Sequence, residues 1–329
     1  MAKNLAPIVM KFGGTSLRDE DCRSYALKHI KNYHESGERI VVVVSAMGRK
    51  GEPYATDTLV ALLRDVGHNI NPRELDLVMS VGETLSSAYF SHLLSHNGMP
   101  AESFNGRQSG ILTDDNAGNA EILDINPARI VEALDNGFIA VVAGFQGVND
   151  KGDIRTLGRG GSDTSAVALA SALGAEKVEI FSDVDGIANC DPRQVEGSSY
   201  LESISVNQML AMADEGSRVI HPRAIKASLK TQTPIIAKNT FNDSEGTLIH
   251  HDISKKKEVV DKWDNDNIAS KEVTEADAEK FYKSGVLRGK KYFGKEYDPA
   301  NPKNKEEEMY TDYVNDVMER YHKKIKKNA

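Results

Sequence analysis

An α/β fold is what this chain predicts, and three observations carry that reading. Short apolar runs of strand length recur at Ile8–Phe12, Ile40–Ser45, Phe138–Ala143, Val178–Ser182 and Pro234–Ala237. Longer helix-favouring stretches, such as Asp57–Val66 and Leu75–His96, alternate with them. Glycine-rich segments sit where strands give way to helices. The alternation predicts right-handed βαβ crossovers, while the direction of each strand is not legible from periodicity.

The first run, Ile8–Phe12, leads into Lys11-Phe12-Gly13-Gly14-Thr15-Ser16. Glycines let the backbone come close to a phosphate, and their N–H groups then donate to its oxygens. Lys11 adds a full positive charge. The order differs from a Walker loop, which places its lysine after the glycines, and from the G-x-G-x-x-G of a dinucleotide fold. Alone, the stretch reads as a tight strand-to-helix turn.

A second segment, Thr156-Leu157-Gly158-Arg159-Gly160-Gly161-Ser162-Asp163-Thr164-Ser165, opens the helix-favouring run Ala166–Leu173, with Gly174 as its stop. Ser162 or Asp163 is the expected N-cap. Glycines and an arginine before a helix N-terminus suit an anion, because free N–H groups and the helix dipole both favour negative charge. Arg159 can hold a carboxylate or phosphate by two parallel bonds. Next, Val178–Phe181 ends in Ser182-Asp183-Val184-Asp185-Gly186, with Asp191-Pro192-Arg193 beyond. Ligands of open α/β sheets gather at such strand ends. The bland alternative is a turn built from Asp side chains.

Lys11–Ser16, Val43–Gly48, Ser80–Thr84, Gly144–Gly147, Gly158–Asp163, Ser182–Gly186 and Asp191–Arg193 occur in the order and spacing of the aspartate kinases. Over residues 7 to 250 the chain resembles that family, most of all the Bacillus-type enzymes of the diaminopimelate and lysine pathway, through Gly48–Asp57. The resemblance implies the amino-acid-kinase fold, a three-layer αβα sandwich with a mostly parallel sheet. It implies transfer of the ATP γ-phosphoryl group, with Mg²⁺, to the side-chain carboxylate of L-aspartate, the first step of aspartate-family amino acid biosynthesis. Such a carboxylate, with a pKa of about 4, is already ionised at neutral pH and needs no general base. The site must instead hold two anions together and neutralise charge on the moving phosphoryl group.

By the same resemblance, Lys11 stabilises the transferring group, Gly13 and Gly14 donate to it, and Asp163 organises the lysine. Arg159 anchors the substrate α-carboxylate and Glu83 meets its ammonium. Ser45, Thr56 and Ser162 add substrate contacts. Ser182, Asp183 and Arg193 match nucleotide contacts, as does Arg218, which stands where relatives carry lysine. No metal ligand is assigned. Ala188 stands where relatives often have a tyrosine beside the adenine, and His221 is expected to be structural. A related kinase acting on another small acid is one alternative. A non-catalytic scaffold that kept the fold is another, opposed by the joint presence of Lys11, Arg159 and Asp163.

A net charge of −8, with no basic stripe, speaks against nucleic acid. No apolar run suits a bilayer, and Met1–Pro7 has no signal-peptide core, so a cytoplasmic location is expected. Cys22 and Cys190 lack metal-site spacing and read as ordinary thiols.

Two regions are expected: a catalytic domain over 1–250 and a charged, mainly helical extension over 251–329. Relatives continue into paired ACT domains, and no ACT-like series of strands is visible here. The usual feedback control is therefore expected to be absent or supplied by another chain, and a homo-oligomer is the other expected partnership. The extension holds Trp263 and six of the eleven tyrosines, unlike a disordered tail. Thr274–Asp277 reads as a capping box for a helix stopping at Gly285. A second helix is expected from about Glu306 to Lys324, with an apolar stripe from Tyr310 to Ile325. That stripe reads first as ordinary core and second as a docking face. Pro299–Pro302 is expected to turn.

Overall fold

The computed structural model describes residues 6–189, 198–214, 217, 219–251, 298–301, 303, 311 and 315. The chain divides into two units, Met1–His251 and Asp252–Ala329. In the first, the order is β1 (Ile8–Phe12), α1 (Glu20–Glu35), β2 (Ile40–Val44), α2 (Thr56–Val66), α3 (Pro72–His96), β3 (Ala101–Phe104), β4 (Ile111–Thr113), β5 (Ile122–Ile125) and α4 (Ala128–Asp135). It continues through β6 (Ile139–Ala143), β7 (Gln146–Val148), β8 (Ile154–Thr156), α5 (Gly161–Ala172), β9 (Val178–Ser182), β10 (Ser203–Ser205), α6 (Val206–Asp214), α7 (Pro222–Thr231), β11 (Ile235–Asn239) and β12 (Thr247–His250).

The main sheet has eight strands in the order β10-β12-β11-β9-β1-β2-β6-β3. From β11 to β3 every neighbouring pair is parallel, and β12 runs antiparallel to β11. Such a sheet needs both faces covered, which explains the uninterrupted apolar run of β2, buried at all five positions. Alternation along the strands fills two cores. Val9, Val41, Val43, Val142 and Ile180 pack with α4, α5, α6 and α7. Met10, Phe12, Val42, Val44 and Phe181 pack with α1 and α3. The result is the expected three-layer sandwich. A smaller sheet, β5-β4-β7-β8, lies beside it.

The predicted strands appear within a residue or two of their expected ends, and α3 begins three residues before Leu75, capped by the Asn71 side chain. One boundary is corrected. Neither Ser162 nor Asp163 caps α5: the helix starts at Gly161 after Gly160, whose φ is 73°. The left-handed turn at Gly160 brings the chain into helix one residue before Ser162, and glycine suits that turn twice over: its φ is positive, and a Cβ there would stand 2.2 Å from Cγ of His221.

In the second unit, Asp298–Asn301 turns where a turn was expected, with Asn301 N–H donating to the Asp298 carbonyl at 3.0 Å. Thr311 and Asn315 are helical. The remainder of the two expected helices, Trp263 and Cys190 lie outside the described residues. Cys22 is a free, buried thiol. Among the described residues, no helix is long and apolar enough to cross a membrane.

Candidate active site

Alternation decides where Lys11 points. Val9 faces the core shared with α5, whereas Met10 and Phe12 face the opposite core. Lys11 therefore leans toward α5. Its ammonium meets the Asp163 carboxylate at 2.6 Å, the two side chains being only 11% and 13% exposed. Asp163 lies in the first turn of α5, where the helix dipole also favours its charge.

The first glycine loop is pinned from behind. The amide of Gly48 donates to the carbonyl of Gly14 at 3.0 Å, and that of Ser45 to Phe12 at 3.1 Å. A Cβ on Gly14 would stand 2.5 Å from the Ala46 carbonyl oxygen and 2.8 Å from that of Gly48. A Cβ on Gly13 would lie 3.7 Å from the Lys11 ammonium, so the lysine folds back over its own loop. Ser45, half-buried, follows β2, and Thr56 opens α2 on the far side of the same 45–56 connection.

The second loop is held by α7. Arg223 donates to the carbonyl of Leu157, to the carbonyl of Ala120 at 2.9 Å and to Asn119 Oδ1 at 2.8 Å. Gly158, with φ at 71°, and Gly160 carry Arg159 outward, and its side chain is exposed. His221 receives the Arg223 amide on Nδ1 at 3.2 Å, capping α7, and its ring packs on Gly160. Burial lowers the His221 pKa, the charge of Asp163 opposes that shift, and those of Arg223 and Arg159 add to it. The charges of Asp163 and Arg159 thus both act on the His221 ring. Ser162 is buried against Gly144, where a Cβ would come within 3.0 Å of it.

At the third strand end, Ser182 gives its carbonyl to the Thr240 amide at 2.8 Å. Asp183 pairs with Arg49 at 3.1 Å, tying this strand end to the 45–56 connection. Asp185 is spent on Asn239 and Asn242, at 2.7 Å and 2.6 Å, so the turn after Ser182 is in part built from Asp chemistry. Ala188 forms an antiparallel bridge with Tyr200, a ring 45% exposed. Arg193 and Arg218 lie outside the described residues.

Glu83 projects from α3 into the interior with 3% exposure, and its Oε2 has no hydrogen-bond partner among the described residues. Burial pushes its pKa up to about 8, against smaller opposing effects from main-chain groups of Ala46 and Glu83 and from the charge of Lys11.

Three contributors, Thr240, Arg223 and Phe145, have no role assigned from the sequence, and the fourth, His221, is the one expected to be structural. Thr240 joins Ser16 through their hydroxyls at 2.6 Å, and its carbonyl is held by His29 Nε2 at 3.0 Å. Arg223 and His221 brace the second loop. Phe145 takes a φ of 68°, rare outside glycine, at the turn from β6 to β7. Only Phe145, inside the Gly144–Gly147 motif, carried a local signal.

The strand ends of a mostly parallel sandwich thus present a lysine, two glycine loops and a helix N-terminus. The model of the amino acid kinase family matches residues 6–239, and the chain belongs to that family. Within it, the chain is similar to aspartokinase 1 of Bacillus subtilis (strain 168), at 47% identity over 246 residues, covering 74% of this chain and 61% of that protein. It is similar to the crystal structure of aspartate kinase from Synechocystis, with a TM-score of 0.65 and 38% identity over 75% of this chain and 40% of that one. It is also similar to E. coli aspartokinase III in complex with aspartate and ADP, with a TM-score of 0.64 and 26% identity over 74% and 64% of the two chains.

Proposed function

We propose that the chain phosphorylates the side-chain carboxylate of L-aspartate with ATP, giving 4-phospho-L-aspartate and ADP. The observation that carries this is the Lys11–Asp163 pair, which joins the first glycine loop to the helix that follows the second. The complex of E. coli aspartokinase III with aspartate and ADP supports the choice of substrates.

A carboxylate oxygen of aspartate attacks the γ-phosphorus in line. The new O–P bond forms as the bond to the β-phosphate oxygen breaks and ADP leaves. No proton moves, since the attacking group is already ionised. Lys11, kept in place by Asp163, and the amides of Gly13 and Gly14 offset charge on the transferring group. Arg159 takes the α-carboxylate, Glu83 the ammonium, and Ser45, Thr56 and Ser162 the remaining polar edges. Ser182, Asp183, Arg193 and Arg218 serve the nucleotide.

Magnesium fits this donor set as an ion held chiefly by phosphate oxygens and water. No group of three or more His, Cys, Asp or Glu side chains that could cage it occurs among the described residues. Bound there, it would neutralise phosphate charge.

The division into a catalytic domain over 1–250 and an extension over 251–329, a cytoplasmic location, a role in lysine and diaminopimelate synthesis, and a partner that is a second copy or a separate regulatory chain belong to the same proposal. Incubation with Mg-ATP and a panel of amino and carboxylic acids, with hydroxylamine as acyl-phosphate trap, tests it. Hydroxamate from aspartate supports the reading. Hydroxamate only from another acid replaces the substrate, and ATP turnover with none makes the chain a scaffold.

A further inference from the structure

The buried carboxyl of Glu83 has a consequence for how an acceptor is captured. We propose that Glu83 stands protonated in the empty site and gives up that proton when the ammonium group of the acceptor binds, so that capture of the amino acid releases one proton to solvent. The inference rests on the amino-acid reading of the acceptor and deepens it.

The geometry leaves an ionised Glu83 without a counter-charge. The side chain is 3% exposed and Oε2 is unpartnered among the described residues. The neighbouring Gly82 presses α3 against Ala46 and the Tyr54 carbonyl, where a Cβ would stand 2.7 Å and 3.0 Å away. The charge that reaches Glu83 is that of Lys11 on β1, and this ammonium is engaged by Asp163 of α5 at 2.6 Å. On the other elements against α3, Asp57, Arg64 and Asp65 of α2 and Glu102 of β3 face solvent, and Arg155 of β8 is bound to Asp115. A buried carboxyl in such surroundings holds its proton well above the ordinary range, as its elevated pKa of about 8 also indicates.

An arriving ammonium changes the balance. The carboxyl O–H bond breaks, the proton leaves to buffer, and the carboxylate pairs with an ammonium that keeps its own protons. Below the raised pKa, binding therefore weakens about tenfold for each pH unit of acidification. An acid of the same shape without an amino group gains nothing from the exchange and binds without proton release.

Titration calorimetry of L-aspartate binding near neutral pH, in buffers of different ionisation enthalpy, counts the protons. The expected result is close to one proton released per aspartate, none for succinate, and none for Glu83→Gln, whose weaker binding no longer varies with pH. The infrared difference between the unliganded protein and Glu83→Gln reads the group directly. A protonated-carboxyl band near neutral pH that vanishes in alkali is expected. Binding of aspartate without proton release, or an ionised band near neutral pH, overturns the proposal and leaves the aspartate reading standing. Failure of any amino acid to bind overturns that reading, and the release step with it.

Discussion

The Lys11 ammonium and the Asp163 carboxylate close to 2.6 Å, joining the central strand of the sheet to the first turn of α5. Lys11→Ala is expected to lower turnover by about three powers of ten, since one charged contact to a transition state is worth that much. It also leaves Asp163 largely buried without its cation, at a cost of about 3 kcal/mol. Lys11→Ala combined with Asp163→Ala should regain part of the melting temperature and none of the turnover. Recovery of turnover in the double variant would remove Lys11 from its role.

Gly14 has no room for a methyl group. Gly14→Ala would force main-chain oxygens of Ala46 and Gly48 aside, and both belong to the segment that carries Ser45. A stability loss of about 1–3 kcal/mol is expected, together with a fall in turnover of more than tenfold. Gly67 ends α2 with a φ of 171° and nothing within 4 Å of an added Cβ. Gly67→Ala should stay within about 0.5 kcal/mol of the parent. Denaturant melts and steady-state kinetics on both variants check the contrast.

Thr240 links the first glycine loop to the end of β9, because its hydroxyl meets Ser16 and its amide meets the Ser182 carbonyl. Thr240→Val keeps the shape and leaves the fully buried Ser16 hydroxyl unpaired, costing about 1–2 kcal/mol. The KM for ATP should rise several-fold while the KM for aspartate changes little. Thr240→Ser should restore both values. An unchanged KM for ATP in Thr240→Val would count against this linkage.

Stability should fall on both sides of neutrality. Burial lowers the pKa of His29, His221 and His251. Their contribution is present above the ordinary histidine pKa of about 6.5 and is lost as pH falls through the lower folded values. Glu83 acts in the opposite sense. Its contribution is complete below the ordinary glutamate range and disappears as pH rises through about 8. Melting temperatures across this range should show an acid limb in both proteins and an alkaline limb that Glu83→Gln flattens. An alkaline limb of equal depth in Glu83→Gln would contradict the assignment.

The parts of this fold legible in the sequence are those set by local pattern. β2 and β6 are apolar runs buried at all five positions, as strands covered on both faces should be, and β1, β9 and β11 carry shorter apolar runs. α1 hides among charged residues, since only Cys22, Ala26, His29 and Ile30 are buried on it. The strands of the smaller sheet are short and half-polar, as in β5, where Asp124 sits in Ile122–Ile125. At the site, Lys11 and Asp163 were suggested by the order of motifs, and their contact required the sheet to set Lys11 on the α5 face. Gly160 was read as part of a loop before a capped helix. Its true constraint, the His221 ring, comes from the start of α7. Thr240 and Arg223 act only through distant partners, and no spacing in the chain announces them.

The aspartate side chain is expected to receive the phosphoryl group directly from ATP. Aspartate carrying ¹⁸O in that carboxylate, incubated with the protein, Mg-ATP and hydroxylamine, tests it through mass analysis of the released phosphate. Hydroxylamine cleaves the acyl carbon–oxygen bond, so each phosphate should retain one labelled oxygen from aspartate. Released phosphate without label would show that water, and not aspartate, received the phosphoryl group, and would contradict the account.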